Sequence, residues 1–502
     1  MRGRFAIAAA LSCLSASQAL AQSDIQAWPP AAVQNNTFNA TYGALDNAQA
    51  REILKHAGVP NDQAEAVLVA LDFERSNWAG SSTQLDPFYQ VVPSHAGLAA
   101  GVPLKVEPVS NASLYTLPPG VSLSRILFTT ETLNGTVIPA SAFVLWPYLP
   151  RSFDSLTPYS NHTNGTSKPQ PMIGWGHGTS GWSGECGPSH IRNLWYQFSA
   201  PYTMALQGYV VVAPDYAGLG LDHDSSGNFI AHQYGANPAS GSDIIHAIEA
   251  AQKAWPARLS REFVIMGHSQ GGGAAWGAAE RLASHPVKGY LGTVAGSPLT
   301  SLLDNANFAQ EVAPTVLGEG LARFSTAIGS VFPEFKASDW LTEQGVNLTN
   351  ANQELQGCQS VALELIAGYN LSRPDWNETW YLDAFDGLTR NGGKAFAGPM
   401  LVLQGMADNA VPPPLVTATV NATCTALPDS QLEYAMFDGV GHVPVLYAGQ
   451  QVWLDWIADR FKGVRVAKGC KQTVHSPQLD VSDFQGDFKY TLQYAEYSYE
   501  VA

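Results

Sequence analysis

The sequence predicts an α/β fold in which a mostly parallel central sheet carries helices on both faces. The first observation is the alternation of short apolar runs with longer helix-like segments between residues 209 and 297. The second is that these runs are almost continuously apolar, as in YVVVAP and EFVIM, which is typical of parallel strands buried on both faces. With 502 residues, 45% of them hydrophobic and 14% charged, the chain is long enough for a large core.

Residues 1–21 are predicted to be a secretory signal peptide. Two arginines precede an apolar run, and the ALA sequence at residues 19–21 has the small-x-small pattern of a cleavage site. An uncleaved membrane anchor is the alternative, but the run is short and is interrupted by serines and a glutamine. Removal of this segment changes the formal charge from −16 to −18, because two arginines and no acid are lost. Such an acidic chain argues against a nucleic-acid partner.

Cysteines and glycosylation sequons also indicate a secreted protein. Once Cys13 leaves with the signal peptide, an even number of cysteines remains, as expected in an oxidising compartment, and two disulfides with three open connectivities are predicted. The remaining cysteines are Cys186, Cys358, Cys424 and Cys470. No C-x-x-C or His cluster points to zinc, and we expect no metal and no cofactor. Ten N-x-S/T sequons predict surface segments and glycosylation in a eukaryotic secretory pathway, at Asn35, Asn39, Asn111, Asn134, Asn161, Asn164, Asn347, Asn370, Asn377 and Asn421.

The pattern along the chain predicts one core with additions before, within and after it. Helix-like spacing over residues 45–75 predicts a short helical pair, and two β-rich runs around Asn134-Gly135 predict a hairpin at the start of the sheet. About a hundred residues with helix-like segments separate two later strands, far more than a usual connection of under about 12 residues, and predict an extra lobe, referred to below as the cap. The predicted regions are the signal peptide 1–21, an N-terminal helical and extended segment 22–119 that packs on the core, the core 120–298, the cap 299–396, the second part of the core 397–465, and a C-terminal extension 466–502 that could add an edge strand.

A candidate nucleophile lies in the stretch VIMGHSQGGG, residues 264–273. Gly267-His268-Ser269-Gln270-Gly271 fits G-x-S-x-G, in which a serine occupies a sharp turn between a strand and a helix. The required context is present, because EFVIM precedes the motif and GGAAWGAAERLA follows it. The flanking residues must be small because this turn packs tightly and strains the serine backbone. We interpret Ser269 as a nucleophile, with a structural glycine-rich turn as the alternative.

A nucleophilic serine needs a base, and the base needs an orienting acid, in the chain order Ser, Asp or Glu, His. LVLQGMADNAVPP places Asp408 just after an apolar strand, and AMFDGVGHVPVLY places His442 on a later loop. A turn cap is the alternative role for Asp408, and an ordinary surface or core histidine the alternative for His442. The competing residues are Asp383, Asp386 and Asp438, which we predict to lack a preceding apolar strand, and His475 in the polar tail.

Acyl transfer also needs backbone donors for the anionic intermediate. One should be the amide of Gln270, directly after the nucleophile at the positive end of the next helix. The other should come from the glycine-rich loop at residues 176–181, with Thr179 favoured and Ser180 second. An ordinary glycine-rich turn is the alternative for this loop.

These motifs, in this order, resemble the fungal and bacterial secretory lipase family, which is yeast lipase A-like and belongs to the α/β-hydrolase superfamily. The resemblance covers about residues 86–465 and rests on DPFY at 86–89, SAFVLWP, HGTSG followed by ECGPS at 185–189, APDYAGLG at 213–220, and GHSQGG. It implies an α/β-hydrolase core, a helical cap between the nucleophile strand and the acid, and hydrolysis of carboxylic esters. The stretch GTSGWSGEC departs from the yeast branch and looks closer to esterase-like members.

The same resemblance implies residue roles in this chain. The catalytic serine, acid and histidine of the family pattern fall on Ser269, Asp408 and His442. It also implies disulfides between Cys186 and Cys358, which would tie the oxyanion-side loop to the cap, and between Cys424 and Cys470, which would brace the histidine loop.

The leading hypothesis is therefore a secreted, extracellular serine hydrolase of carboxylic esters, a lipase or esterase. The alternatives are an acyltransferase or tailoring hydrolase of secondary metabolism with the same triad, a serine peptidase, and a non-catalytic binding protein. The expected partner is a small-molecule or lipid ester, with transient contact at a lipid interface as a further option. The oligomeric state is not predicted by the sequence.

Overall fold

The computed structural model describes residues 45–159, 168–312, 314–366 and 368–484, and the described strands form one sheet. The spatial order is β1-β2-β3-β5-β4-β6-β7-β8-β9-β10. The strands are β1 (Pro103–Glu107), β2 (Val121–Glu131), β3 (Val137–Pro147), β4 (Gln170–Gly176), β5 (Val210–Pro214), β6 (Leu259–His268), β7 (Tyr290–Gly296), β8 (Met400–Gly405), β9 (Gln431–Phe437) and β10 (Gly469–His475). The predicted signal peptide lies outside the described residues.

Most of the sheet is parallel. The neighbours from β5 through β4 to β10 pair in parallel, whereas β1, β2, β3 and β5 pair antiparallel. The prediction of a mostly parallel sheet is confirmed. The predicted hairpin is also present, since β2 and β3 pair from Val121 with Pro147 to Glu131 with Val137.

Helices connect the strands and pack on the sheet. The described helices are α1 (Asn47–His56), α2 (Asn61–Ser76), α3 (Pro87–Gln90), α4 (Pro201–Leu206), α5 (Asn237–Ala254), α6 (Gln270–Ser284), α7 (Leu302–Val312), α8 (Pro314–Val331), α9 (Glu343–Glu354), α10 (Gln359–Ile366), α11 (Tyr381–Thr389), α12 (Pro413–Ala426), α13 (Pro444–Ala448) and α14 (Gln450–Phe461). Among the described residues, none of these helices combines the length and apolar character needed to cross a bilayer.

Both faces of the sheet are covered because successive side chains of a strand point to opposite sides. In β4, Ile173 and Trp175 pack in a cluster with residues of α4 and α14. Met172 of the same strand packs on the other face with residues of α5 and α6. This explains why the strands are almost continuously apolar.

The insertion between β7 and β8 consists of α7 to α11 and shares a third apolar cluster with α1 and α2. Leu54 and Val67 of the N-terminal helices belong to the same cluster as Leu348 and Val361 of the insertion. Glu74 of α2 is buried and accepts hydrogen bonds from the amides of Cys358, at 2.8 Å, and Val361, at 2.9 Å. The N-terminal helical pair therefore packs largely against the insertion.

Both ends of the sheet extend beyond the predicted core. β1 lies within segment 22–119 and pairs with β2. In the C-terminal extension the edge strand is β10, which pairs in parallel with β9. An edge strand is therefore present in the extension 466–502, at residues 469–475.

Two disulfides link the elements, in the pairing that the resemblance implies. Cys186 bonds to Cys358 and connects the loop after β4 to the start of α10. Cys424 bonds to Cys470 and connects α12 to β10, rather than to the histidine loop itself. All six described sequon asparagines are exposed, namely Asn111, Asn134, Asn347, Asn370, Asn377 and Asn421, whereas Asn35, Asn39, Asn161 and Asn164 lie outside the described residues.

Candidate active site

Ser269 occupies a strained turn between β6 and α6. Its backbone has φ 61° and ψ −122°, in the left-handed range that non-glycine residues rarely adopt. A Cβ atom at Gly267 would overlap the carbonyl oxygen of Gly271, and one at Gly271 would overlap the carbonyl oxygen of Gly176. The close approach of these three backbones explains the glycines around the serine.

Asp408 and His442 lie together at the carboxyl ends of neighbouring strands. Asp408 follows β8, His442 follows β9, and His442 Nδ1 is 2.7 Å from Asp408 Oδ2. The other carboxylate oxygen accepts the amides of Ala410, at 2.9 Å, and Val411, at 2.8 Å. The acid is therefore held on its loop by backbone donors and leaves one oxygen for the histidine.

The surroundings of Asp408 keep its carboxylate charged. Its side chain is fully buried, and desolvation alone would raise its pKa. The charge of His442, the His442 hydrogen bond and the amide of Val411 outweigh this effect and hold the pKa of Asp408 below its usual value. An anionic Asp408 can orient the imidazole and stabilise its protonated form.

The loop after β4 lies against Ser269. A Cβ atom at Gly178 would be 3.2 Å from Ser269 Cβ, so the predicted oxyanion loop and the predicted nucleophile are neighbours. Thr179 Oγ1 is 2.8 Å from the hydroxyl of Tyr234. The ring of Tyr234 stacks on Phe324 of α8, with centroids 5.9 Å apart, so this loop also contacts the insertion indirectly.

Gln270 begins α6, where the first amides have no partner within the helix. Its buried side chain is held by His232, with Nε2 of the two residues 2.9 Å apart. His232 Nδ1 donates to the carbonyl of Ala217 at 3.1 Å, and burial lowers the pKa of His232 to about 4. The neutral imidazole can therefore accept the hydrogen bond from the Gln270 amide group.

Sequence reasoning missed two polar neighbours of the triad candidates. Gln404, near the end of β8, donates to Asp408 Oδ2 at 3.2 Å. His268, next to Ser269, places its ring 4.5 Å from the ring of His442. Both are polar residues at the end of an apolar strand, a signal that the sequence does contain.

The competing candidates for the acid and the base lie outside the Asp408–His442 pair. Asp383 and Asp386 belong to α11 in the insertion, where Asp386 pairs with Arg390 at 2.6 Å. Asp438 directly follows β9, whose sequence QLEYAMF mixes polar and apolar residues, so a strand precedes this acid but not a continuously apolar one. Its side chain is nevertheless exposed. His475 lies in β10 and stacks on Phe437, at the edge of the sheet.

No metal-binding cluster is found among the described residues. Within residues 45–159, 168–312, 314–366 and 368–484, no group of three or more His, Cys, Asp or Glu side chains could hold an ion.

The chain is similar in sequence to a lipase and in structure to a lipase and an esterase. Lipase 4 of Candida albicans is 24% identical over 431 residues, which are 78% of this chain and 89% of that protein. Lipase A from Candida antarctica in its closed state has a similar structure, with a TM-score of 0.61 and 16% identity over 80% of this chain and 93% of that one. The rice cell wall degrading esterase LipA from Xanthomonas oryzae gives a TM-score of 0.55 and 18% identity over 72% of this chain and 98% of its own.

These similarities confirm the resemblance to lipase A-like proteins that the motifs indicated. The sequence model of one family matches residues 174–453, from the end of β4 into α14. This range includes Ser269, Asp408 and His442 and covers more than half of the chain. The chain belongs to the alpha/beta hydrolase family.

Proposed function

We propose that this protein is a serine hydrolase of carboxylic esters, with Ser269 as nucleophile, His442 as base and Asp408 as the orienting acid. The observation that carries the proposal is the Asp408–His442 hydrogen bond of 2.7 Å, with the ring of His442 4.5 Å from that of His268, the residue directly before the strained Ser269. The lipase and esterase names of similar proteins support the same reaction class.

The reaction begins when Ser269 Oγ attacks the ester carbonyl carbon and its proton passes to His442 Nε2. Asp408 accepts the His442 Nδ1–H bond and stabilises the imidazolium. Collapse of the tetrahedral intermediate breaks the bond to the alcohol, which leaves with the proton from His442. Water then attacks the acyl-enzyme, again with His442 as base, and the carboxylic acid is released as Ser269 is restored.

The negative charge on the intermediate would be stabilised by two backbone amides. The amide of Gln270 lies at the start of α6, beside the nucleophile and at the positive end of the helix. The amide of Thr179 is the proposed second donor, and the approach of Gly178 to Ser269 supports that role.

We propose that residues 299–396 form a cap that shapes the substrate site. The stacking of Phe324, a residue of the insertion, on Tyr234, and the Tyr234 contact with Thr179 support this proposal. Aromatic side chains near the reacting groups suit a small-molecule or lipid ester. The lipase A-like neighbours are consistent with such a substrate.

We also propose that the protein is secreted and glycosylated. The two disulfides fit an oxidising compartment, and the exposure of the described sequon asparagines leaves them accessible to modification. A mass measurement of the secreted protein before and after removal of N-glycans tests both points. An unglycosylated chain retained inside the cell would contradict them.

Replacement of Ser269 tests the enzymatic proposal. The Ser269→Ala variant should lose at least about 10³-fold in kcat on p-nitrophenyl esters and should not be labelled by a fluorophosphonate. Ser284→Ala, at the exposed end of the same helix, is the matched control and should keep both properties. Equal labelling of Ser269→Ala and wild type would overturn the proposal. A series from acetyl to palmitoyl esters then separates an esterase from a lipase.

A further inference from the structure

A strained segment lies close to the proposed active site without belonging to the triad or the oxyanion loop. Leu194, Trp195 and Gln197 have φ of 54°, 69° and 44°, so three non-glycine residues around Tyr196 adopt the left-handed conformation. Such strain persists only where the surrounding structure imposes it, and it concentrates at functional sites. Tyr196 lies between these strained residues, and its side chain contacts the proposed active site.

The hydroxyl of Tyr196 reaches two elements of the site. It is 2.7 Å from Nδ1 of His268, the residue directly before Ser269. It also lies so close to Gly178 that a Cβ atom there would overlap it. The ring of Tyr196 packs edge-on against Trp175 of β4, with centroids 5.4 Å apart. The hydroxyl is thus fixed between the oxyanion loop and the nucleophile turn.

The contacts of His268 determine the direction of its hydrogen bonds. Its Nε2 is 3.0 Å from the carbonyl oxygen of His442, which can only accept, so Nε2 carries the proton. Burial, with the nearby His442, lowers the pKa of His268 to about 3, and the ring is neutral. Nδ1 is therefore an acceptor, and the Tyr196 hydroxyl donates to it.

The bonds form a chain from Tyr196 through His268 to the backbone of the proposed base. We propose that Tyr196 is a positioning residue for the hydrolytic reaction: its hydroxyl holds His268 in the tautomer that anchors the carbonyl of His442 beside Ser269. This inference rests on the proposed function of the triad. Without the hydroxyl, His268 can place its proton on Nδ1 and release the His442 carbonyl, and the base loses its fixed position.

The test is a Tyr196→Phe variant of the full chain, assayed with p-nitrophenyl butyrate. A loss of positioning should lower kcat by roughly 10- to 100-fold, leave KM within about twofold, and leave the melting temperature near that of wild type. Tyr202→Phe is the matched control. The hydroxyl of Tyr202 is buried and has no hydrogen-bond partner among the described residues, so kcat should not change.

A double-mutant cycle tests whether Tyr196 acts on the reaction through His268. If Tyr196 acts through His268, adding Tyr196→Phe to His268→Gln should lower kcat no further than His268→Gln alone. His268→Asn provides the same comparison if the glutamine variant does not fold. Independent, multiplicative losses would overturn the inference, as would an unchanged kcat in Tyr196→Phe. An inactive wild type that resists the fluorophosphonate would instead overturn the proposed function itself.

Discussion

The carboxyl ends of β6, β8 and β9 differ from the helical insertion in what they bury. At the strand ends, buried polar groups are held by specific hydrogen bonds, as in Asp408, and the backbone of Ser269 is strained. In the insertion, the cluster around Trp340 and Phe385 is largely apolar and packs with α1 and α2. One region is organised by directional contacts, the other mainly by the burial of apolar surface.

This difference predicts which substitutions should impair catalysis and which should reduce stability. Strand ends fix a few atoms relative to one another, so a change of one hydrogen-bonding atom there should impair the reaction more than folding. The insertion contributes apolar burial and long-range links, so changes there should reduce the free energy of unfolding first. Substitutions of Asp408, of Asp386, of the two disulfides and of Glu74 test this contrast.

The largest effect is expected from Asp408→Asn. The remaining carbonyl oxygen can still accept the amides of Ala410 and Val411, which preserves the loop. The new amide group then faces His442 Nδ1, which must become an acceptor, and Nε2 carries the proton and cannot act as base. We expect kcat to fall about 10⁴-fold. Steady-state kinetics and thermal unfolding of the same sample measure the two effects separately.

Asp386→Asn in the insertion is the counterpart. Asp386 accepts the hydroxyl of Ser301, at 2.7 Å, and pairs with Arg390, so its replacement should lower the melting temperature. The catalytic rate of the folded fraction should change little. A loss of kcat similar to that of Asp408→Asn would contradict the proposal that the insertion contributes mainly to stability.

The contrast also explains how much the sequence could predict. The strand, turn and helix around Ser269 and the apolar strand before Asp408 are local patterns, and they gave the core and its candidate residues. The contact between Tyr196 and His268 joins residues 72 positions apart through a left-handed backbone that no sequence pattern indicates. Asp438 follows a strand, β9, whose mixed sequence QLEYAMF lacks the apolar run found in β8 before Asp408.

The packing partner of the N-terminal helices could likewise not be predicted from local sequence patterns. The spacing over residues 45–75 predicted two helices, but the partner of their apolar faces depends on the tertiary arrangement. That partner includes the insertion, about three hundred residues further along the chain, as in the hydrogen bond from the amide of Val361 to Glu74.

The next largest effect is expected on the free energy of unfolding when the disulfides are removed. Cys186 and Cys358 are 172 residues apart and connect the loop after β4 to the insertion, whereas Cys424 and Cys470 are 46 residues apart at the edge of the sheet. Replacing both cysteines of the first pair with serine should lower the free energy of unfolding by about 3–5 kcal/mol. The second pair closes a shorter loop and should cost about 1 kcal/mol less. Urea unfolding of the two double variants tests this order, and a reversed order would contradict it.

The smallest effect is expected at Glu74, which joins α2 to α10. Burial raises its pKa to about 7, against the opposing effect of the Val361 and Cys358 amides. Because the folded-state pKa is higher than the usual 4.5, the native state binds the proton more tightly. The stabilisation from this proton is fully present below pH 4.5 and is lost as the pH rises through 7.

Glu74→Gln removes this titration. The stability advantage of wild type over the variant should therefore shrink between pH 5 and pH 8, by on the order of 2 kcal/mol. Urea unfolding at both pH values measures it, and comparison with the variant cancels contributions from the buried histidines. Glu52→Gln on the exposed surface of α1 should stay within about 0.5 kcal/mol of wild type at both pH values. An advantage that grows with pH would mean that Glu74 is buried as a charged group, stabilised by the amides of α10. The link between the N-terminal helices and the insertion would then be electrostatic, like the contacts at the strand ends.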